Sequence, residues 1–78
     1  MNQHNNKGYR EGYWEIDNRE GNLLAKGDYT NGLKEGYWEE YYSNGDLVWK
    51  GHFKNNKPIN FWEFYNRFSK LTQKVFHL

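Results

Sequence analysis

A unit of 24 residues repeats along this chain, and the repeat restricts the possible folds more than any other feature. Trp14, Trp38 and Trp62 are separated by 24 residues each. An aromatic residue precedes each tryptophan and a glutamate follows it, which gives the motifs YWE, YWE and FWE. The other positions that recur in phase are Gly21 and Gly45, Leu23 and Leu47, Lys26 and Lys50, Gly27 and Gly51, Tyr29 and Phe53, Asn31 and Asn55. A fixed period of this length predicts copies of one supersecondary unit, each packed on its neighbour.

Turn signals divide each unit into two strands. Asn-Gly occurs at residues 31–32 and 44–45, and it favours a two-residue type I′ turn because both of its residues adopt positive φ. The segments REGN (19–22) and NNKP (55–58) occupy equivalent positions. The pattern predicts an all-β fold, a single-layer antiparallel meander of three β-hairpin repeats. Residues 8–78 would form one domain, and residues 1–7 would be a flexible N-terminus.

A two-residue turn at 44–45 also fixes which residues face each other within the hairpins. The predicted facing pairs are Glu15 and Lys26, Glu39 and Lys50, Glu63 and Lys74, Trp14 and Gly27, Trp38 and Gly51, Tyr42 and Leu47. Each glutamate–lysine pair would contribute about 0.2–1 kcal/mol. In two hairpins a tryptophan ring could cover a glycine that has no side chain of its own.

Two regions depart from this scheme. A two-residue turn at Asn31-Gly32 would place Asp28 opposite Glu35, a destabilising like-charge pair, so we expect a longer loop there. The third unit has Ser69 where glycine is expected, and its sequence FYNRFSKLTQKVFHL also has helical spacing. A strand is favoured because the third glutamate–lysine pair is kept, and a short C-terminal helix is the alternative.

Strand alternation assigns the side chains to two faces. The first, the tryptophan face, collects Trp14, Ile16, Leu23, Ala25, Tyr29, Trp38, Glu40, Tyr42, Leu47, Trp49, Phe53, Trp62, Phe64, Leu71, Gln73 and Val75. The opposite one, the Glu–Lys face, carries the glutamate–lysine pairs with Tyr13, Tyr37, Tyr41, Phe61 and Tyr65. The first face should need a cover, whereas the second can remain in water.

The second unit, GYWEEYYSNGDLVWKGHFKNNKP, resembles a MORN repeat of the variant class found in many bacterial proteins. The positions that carry the resemblance are Gly36, Trp38, Tyr41, Asn44, Gly45, Leu47, Gly51, Phe53 and Asn55, with partial matches in the other two units. The resemblance implies an elongated sheet of hairpins that serves as a binding scaffold for protein or lipid partners. Some bacterial members of the family are antitoxin-like. Fold alone does not assign a function.

The residues offer little catalytic chemistry. The chain has no cysteine, and its three histidines, His4, His52 and His77, have no metal-ligand spacing. Glu39 and Glu40 are adjacent in a strand and therefore point to opposite faces. We predict no enzyme activity, no cofactor and no metal site. No apolar run approaches the ~20 residues of a membrane helix, so a cytoplasmic location is expected.

Charge is divided unevenly along the chain. Residues 1–49 contain five Lys or Arg and nine Asp or Glu (5 − 9 = −4), whereas residues 50–78 contain six and one (6 − 1 = +5). Lys54, Lys57, Arg67 and Lys70 form a candidate basic patch for single-stranded nucleic acid or anionic lipid. The aromatic residues near them are needed by the repeat, which disfavours the nucleic-acid interpretation.

A thin sheet with one apolar face predicts a protein-interaction module. The expected function is a stoichiometric inhibitor or adaptor, antitoxin-like or directed against a defence enzyme on behalf of a phage or mobile element. A homodimer could form through the tryptophan face or through edge strands. The residues predicted to contact the partner are Trp14, Tyr29, Trp38, Glu40, Tyr42, Trp49, Phe53, Trp62 and Phe64.

Overall fold

The computed structural model describes residues 2–77 as one open antiparallel sheet of seven strands in sequence order. The strands are β1 (Gln3–His4), β2 (Arg10–Asp17), β3 (Leu23–Thr30), β4 (Leu33–Tyr41), β5 (Leu47–Lys54), β6 (Lys57–Tyr65) and β7 (Leu71–His77). The molecule measures 41 × 36 × 12 Å, so it is one layer thick. The predicted all-β meander of three hairpins is confirmed. Its third unit ends in strand β7, and residues 2–77 contain no helix.

A flexible tail was expected at residues 1–7, and the structure describes residues 2–7 of this segment. Strand β1 pairs with β2, and Asn2 continues this contact beyond the strand. The Asn2 backbone N–H donates to the carbonyl oxygen of Tyr13 (2.9 Å). The Asn2 side chain both donates to the carbonyl oxygen of Glu15 (3.0 Å) and accepts from its N–H (2.8 Å). An amide side chain thus replaces a strand residue along the edge of β2. Met1 and Leu78 lie outside the described residues.

The turn at 44–45 is not the predicted two-residue type I′ turn. The N–H of Gly45 donates to the carbonyl oxygen of Tyr42 (2.9 Å), and the N–H of Tyr42 donates to that of Asp46 (2.7 Å). Only Gly45 of this loop has positive φ (95°), which is typical of a three-residue loop with a type I turn and a bulge. The same hydrogen bonds recur in the turns at 18–22 and 66–70. The extra residue shifts the register, so Leu47 faces Tyr41 instead of Tyr42.

The turn at 31–32, where a longer loop was expected, is a two-residue turn with positive φ at both residues (50° and 80°). Residues 55–56 form the same turn. Asp28 does face Glu35, and the prediction that this pair would be avoided is wrong. The Glu35 carboxylate reaches the next hairpin tip, where it accepts from the backbone N–H of Asn55 (2.8 Å). This hydrogen bond compensates for the like charge of Asp28.

A bulge of three residues opposite one separates successive hairpins. Lys26 faces Glu39 and Asp28 faces Glu35, so the single residue Gly27 stands opposite three residues, 36–38. The junction between β5 and β6 repeats this arrangement, with Gly51 opposite residues 60–62. Gly36 and Asn60 bend the chain here with φ of 77° and 61°. Bulges of this kind bend a strand and re-aim its side chains, and here they direct Trp38 and Trp62 onto the preceding hairpin.

Candidate interaction surface

On the tryptophan face, Trp38 and Trp62 are buried by packing on the preceding hairpin. The Trp38 ring lies over Gly27 and the Trp62 ring over Gly51, so each ring sits on the preceding unit although it faces a residue of its own hairpin in the strand register. The indole N–H of Trp38 donates to the carbonyl oxygen of Asp28 (3.0 Å), and that of Trp62 to the carbonyl oxygen of His52 (3.1 Å). Trp38 is 0% exposed. A fully buried ring needs no partner to remove it from water.

The rings of this face form a continuous row from β2 to β6. Edge-to-face contacts link Trp14 to Tyr29, Tyr29 to Trp38, Trp38 to Phe53, and Phe53 to Trp62, with centroids 4.9–6.4 Å apart. Such contacts contribute about 0.5–1.5 kcal/mol each beyond area burial. Two cations lie against rings of this row. The Arg10 guanidinium is 4.7 Å from the Trp14 centroid, and the Lys34 ammonium is 4.9 Å from the Trp38 centroid.

This packing changes the status of the residues predicted to contact a partner. Trp38, Trp62 and Tyr29 are buried, so their assignment as contact residues is corrected: they form the core. The remaining predicted residues, Trp14, Glu40, Tyr42, Trp49, Phe53 and Phe64, are half-buried. The sequence did not reveal this because the bulges that fold each tryptophan back carry no strong composition signal.

The Glu–Lys face carries a line of alternating charges, one on each strand from β2 to β7. The six residues in line are Glu15, Lys26, Glu39, Lys50, Glu63 and Lys74. The three predicted facing pairs are therefore confirmed in register. The ion pairs themselves are Lys26–Glu39 (3.4 Å), Lys50–Glu63 (3.3 Å) and Lys74–Glu63 (3.8 Å). Two lysines thus form ion pairs between hairpins, which the spacing of the repeat did not predict.

Tyrosine hydroxyls hold the carboxylates of this line in place. Tyr37 donates to Glu39 (2.6 Å), and Tyr41 donates to the other oxygen of the same carboxylate. Burial raises the pKa of Glu39, but the two tyrosine hydrogen bonds and the Lys26 charge outweigh it and hold the pKa below the usual glutamate value. The hydrogen bond from Tyr65 (2.8 Å) and that from Lys50 lower the pKa of Glu63 likewise. The carboxylates of both residues are therefore ionised and fixed at neutral pH.

Four of the six exposed large rings among residues 2–77 lie on this same face. Tyr13, Tyr37, Phe61 and Phe76 are 37%, 43%, 56% and 52% exposed. Phe61 packs on Phe76 with centroids 4.7 Å apart, and the Lys74 ammonium lies 5.2 Å from the Phe61 centroid. The sequence signal for three of these rings was present, because each directly precedes a repeated tryptophan.

A depression of about 190 Å³ lies between two of these exposed rings. It is lined by Tyr37, Lys50, Gly51, His52, Phe61, Glu63 and Lys74. His52 on β5 lines it beside Tyr37, with the centroids of the two rings 5.4 Å apart. A larger depression of about 360 Å³ lies between the tips of the first two hairpins, lined by uncharged residues of 21–23 and 41–45. The smaller one has the charge and aromatic lining of a contact site.

The predicted basic patch is divided between the two ends of strand β6. Lys54 and Lys57 face each other beside the turn at 55–56, whereas Arg67 and Lys70 belong to the turn region at the other end of β6. The length of β6, nine residues, separates the two pairs by roughly 25–30 Å. The four cations do not form one continuous patch.

Residues 2–77 contain no group of three His, Asp or Glu side chains that could hold a metal ion. The described part of the chain also has no helix long and apolar enough to cross a membrane. Comparisons with models of known protein families, with curated proteins and with solved structures found no match. The MORN resemblance therefore stays an interpretation of the repeated residues.

Proposed function

We propose that this protein is a small interaction module that binds another protein through its Glu–Lys face. The observation that carries the proposal is the row of exposed rings on that face. Tyr13, Tyr37 and Phe61 project from a layer whose opposite face buries Trp38 and Trp62 in its own core. Aromatic residues rimmed by charges are typical of protein contact surfaces. This assignment moves the proposed contact from the tryptophan face to the opposite one.

The rigidity of the surface supports this function. Each carboxylate in the middle of the charged line is held by a lysine and by one or two tyrosine hydroxyls. A surface that is ordered before binding loses less side-chain entropy when the complex forms. Such a surface suits a stoichiometric inhibitor or adaptor that acts by covering part of its target. An inhibitor of a toxin is the form that the MORN resemblance favours, and a defence enzyme is a further candidate target.

A nucleic-acid or anionic-lipid module is the second candidate, and the geometry gives it less support. A protein that binds the phosphate backbone of a nucleic-acid strand needs a continuous line of cations. Here Lys54 and Lys57 lie at one end of strand β6, and Arg67 and Lys70 lie at the other end. Between them, Glu63 already contacts Lys50 and Lys74. These carboxylate contacts reduce the positive potential that a polyanion would meet.

The proposed function can be tested by immobilising three forms of the chain and passing extract from the source organism over each of them. They are the unaltered chain, the double variant Tyr37→Ser with Phe61→Ser, and Trp49→Phe as a control on the tryptophan face. We expect a protein that the unaltered chain and the control retain and the double variant loses. Calorimetry with that purified protein should give a one-to-one complex and an affinity loss of about tenfold or more for the double variant. Equal affinity for all three forms would reject this face as the binding surface.

A further inference from the structure

The Glu–Lys face is complementary to itself. From β2 to β7 the line of charges reads minus, plus, minus, plus, minus, plus. The same line read from β7 to β2 has the opposite sign at every position. A surface with this property can meet a second copy of itself across a two-fold axis, because each contact then occurs twice with matched charges.

Only one orientation of the two copies matches the charges. The axis runs parallel to the strands, between β4 and β5, and brings β2 of one copy over β7 of the other. The pairs formed with the second copy are then Glu15 with Lys74, Lys26 with Glu63, and Glu39 with Lys50. An axis at right angles to the strands would instead place Glu15 over Glu15 of the second copy. Like charges in contact penalise that orientation.

The distribution of charge over the whole chain independently favours the same axis. Residues 1–49 carry a net charge of −4 and residues 50–78 a net charge of +5. The change of sign falls between Asp46 and Lys50, at the start of strand β5, which is beside the axis. An acidic half therefore covers a basic half twice. This agreement does not depend on the registers of the individual strands.

The exposed rings fit the same arrangement. The rotation places Tyr37 of the second copy over β5, against the depression that His52 and Phe61 line. It also brings Tyr13 towards Phe76 of the second copy. Tyr37 and Tyr13 are thus partly covered without any rearrangement of the sheet.

We propose that two copies of this chain pair through their Glu–Lys faces with this two-fold axis, and that pairing masks the partner-binding surface. Six strands of seven to nine residues offer roughly 500–700 Å² per copy, or roughly 1,000–1,400 Å² in total, which is enough for a specific interface. The masking step rests on the proposed function, because a partner that uses the same rings must displace the second copy. Partner binding then weakens as the concentration of the chain rises.

A charge-swap experiment tests the pairing. Sedimentation equilibrium at several concentrations measures the dimer constant of the unaltered chain, of Glu15→Lys, of Lys74→Glu and of an equimolar mixture of the two variants. Each variant alone places two like-charge contacts in its dimer, and we expect its dimer to weaken by at least about tenfold. The mixture restores opposite charges at both contacts, so dimers should return. Tyr37→Ser, which leaves every charge in place, should weaken the dimer as well.

The outcomes separate the pairing from the proposed function. A monomer at all concentrations, a dimer that neither charge variant weakens, or a mixture no better than its components would each overturn the pairing. Circular dichroism checks that each variant is folded, and Tyr37→Ser decides the test if a charge variant is not. If the pairing fails but the Tyr37→Ser and Phe61→Ser double variant still loses its protein partner, the proposed function stands.

Discussion

The indole ring of Trp38 occupies the space that a side chain on Gly27 would need. A Cβ at Gly27 would lie 2.2–2.5 Å from three ring atoms, and a Cβ at Gly51 would meet the Trp62 ring at 2.2–2.6 Å. Each hairpin is therefore joined to the next by a ring seated on bare backbone. This contact replaces the second layer that a sheet normally requires.

Gly27→Ala should therefore destabilise the protein by about 3 kcal/mol or more, because the added methyl group displaces a fully buried ring. Gly21→Ala is the matched control. Gly21 has a φ of 84°, and a methyl group added there would meet no atom within 4 Å, so its substitution should cost only about 1–2 kcal/mol of backbone strain. Urea unfolding measures both variants. If Gly27→Ala proved as stable as Gly21→Ala, the ring would not be seated as described.

Truncation of two adjacent residues should lower the stability by very different amounts. Trp38 is fully buried and Tyr37 is 43% exposed. Trp38→Ala should cost about 3–5 kcal/mol, which is a large fraction of the stability of a small domain. Tyr37→Ala should cost about 1 kcal/mol or less, chiefly through the lost hydrogen bond to Glu39. Thermal unfolding compares the two, and a similar loss of stability for both would contradict the assignment of the faces.

Away from the turns, the register within the hairpins could be predicted because it depends on identities that repeat. Trp38 faces Gly51 and Glu39 faces Lys50, as the spacing of the units required. The turn types could not be assigned in this way. Asn-Gly forms a type I′ turn at 31–32, but at 44–45 it closes a three-residue loop. The dipeptide fits both turns, and the contacts of the flanking strands decide between them.

The burial of Trp38 and Trp62 could not be predicted from the sequence for a different reason. Strand alternation predicts the face of Trp38 correctly but does not predict towards which neighbouring strand its ring leans. That direction is set by the bulge at Gly36, which places three residues opposite Gly27. The tolerance of Asp28 opposite Glu35 was missed similarly, since the hydrogen bond from Asn55 to Glu35 joins two different hairpins. Contacts between units were harder to predict than contacts within them.

Acid should destabilise the protein through Glu39 and Glu63, the two glutamates of the charged line whose pKa is lowered. The pKa of Glu39 is held below its ordinary value by Tyr37, Tyr41 and Lys26 against the opposing effect of burial. A carboxyl group whose pKa is lower in the folded state contributes stability that is complete above the unfolded pKa, about 4.3 for glutamate, and is lost as the pH falls through the folded pKa. We expect the free energy of unfolding to decline steadily between about pH 5 and pH 3 on this account.

Tyr41→Phe isolates the contribution of Glu39 to this decline. The variant removes one hydroxyl donor from the carboxylate and should bring the pKa of Glu39 closer to that of the unfolded chain. All other carboxyl groups are unchanged, so they cancel when the two proteins are compared. Urea unfolding at pH 7, 5, 4 and 3 should show that the gap in stability between the unaltered protein and Tyr41→Phe narrows as the pH falls. A gap that stays constant from pH 7 to pH 3 would mean that the hydrogen bond does not shift this pKa.

The third hairpin offers a stabilising substitution. Ser69 adopts a φ of 62°, whereas glycine occupies the equivalent positions 21 and 45 of the first two hairpins. A residue with a Cβ is strained in this conformation by about 1–2 kcal/mol. Ser69→Gly removes the strain but gives the unfolded chain more freedom, so we expect a net gain of about 0.5–1 kcal/mol.

Ser43→Gly is the matched control for this substitution, because Ser43 lies in the second hairpin loop at a position without positive φ. It relieves no strain and should lower stability slightly, since glycine only adds freedom to the unfolded chain. Thermal unfolding should therefore rank Ser69→Gly above the unaltered protein and Ser43→Gly below it. The reverse ranking would show that the turn at 66–70 differs from its two counterparts.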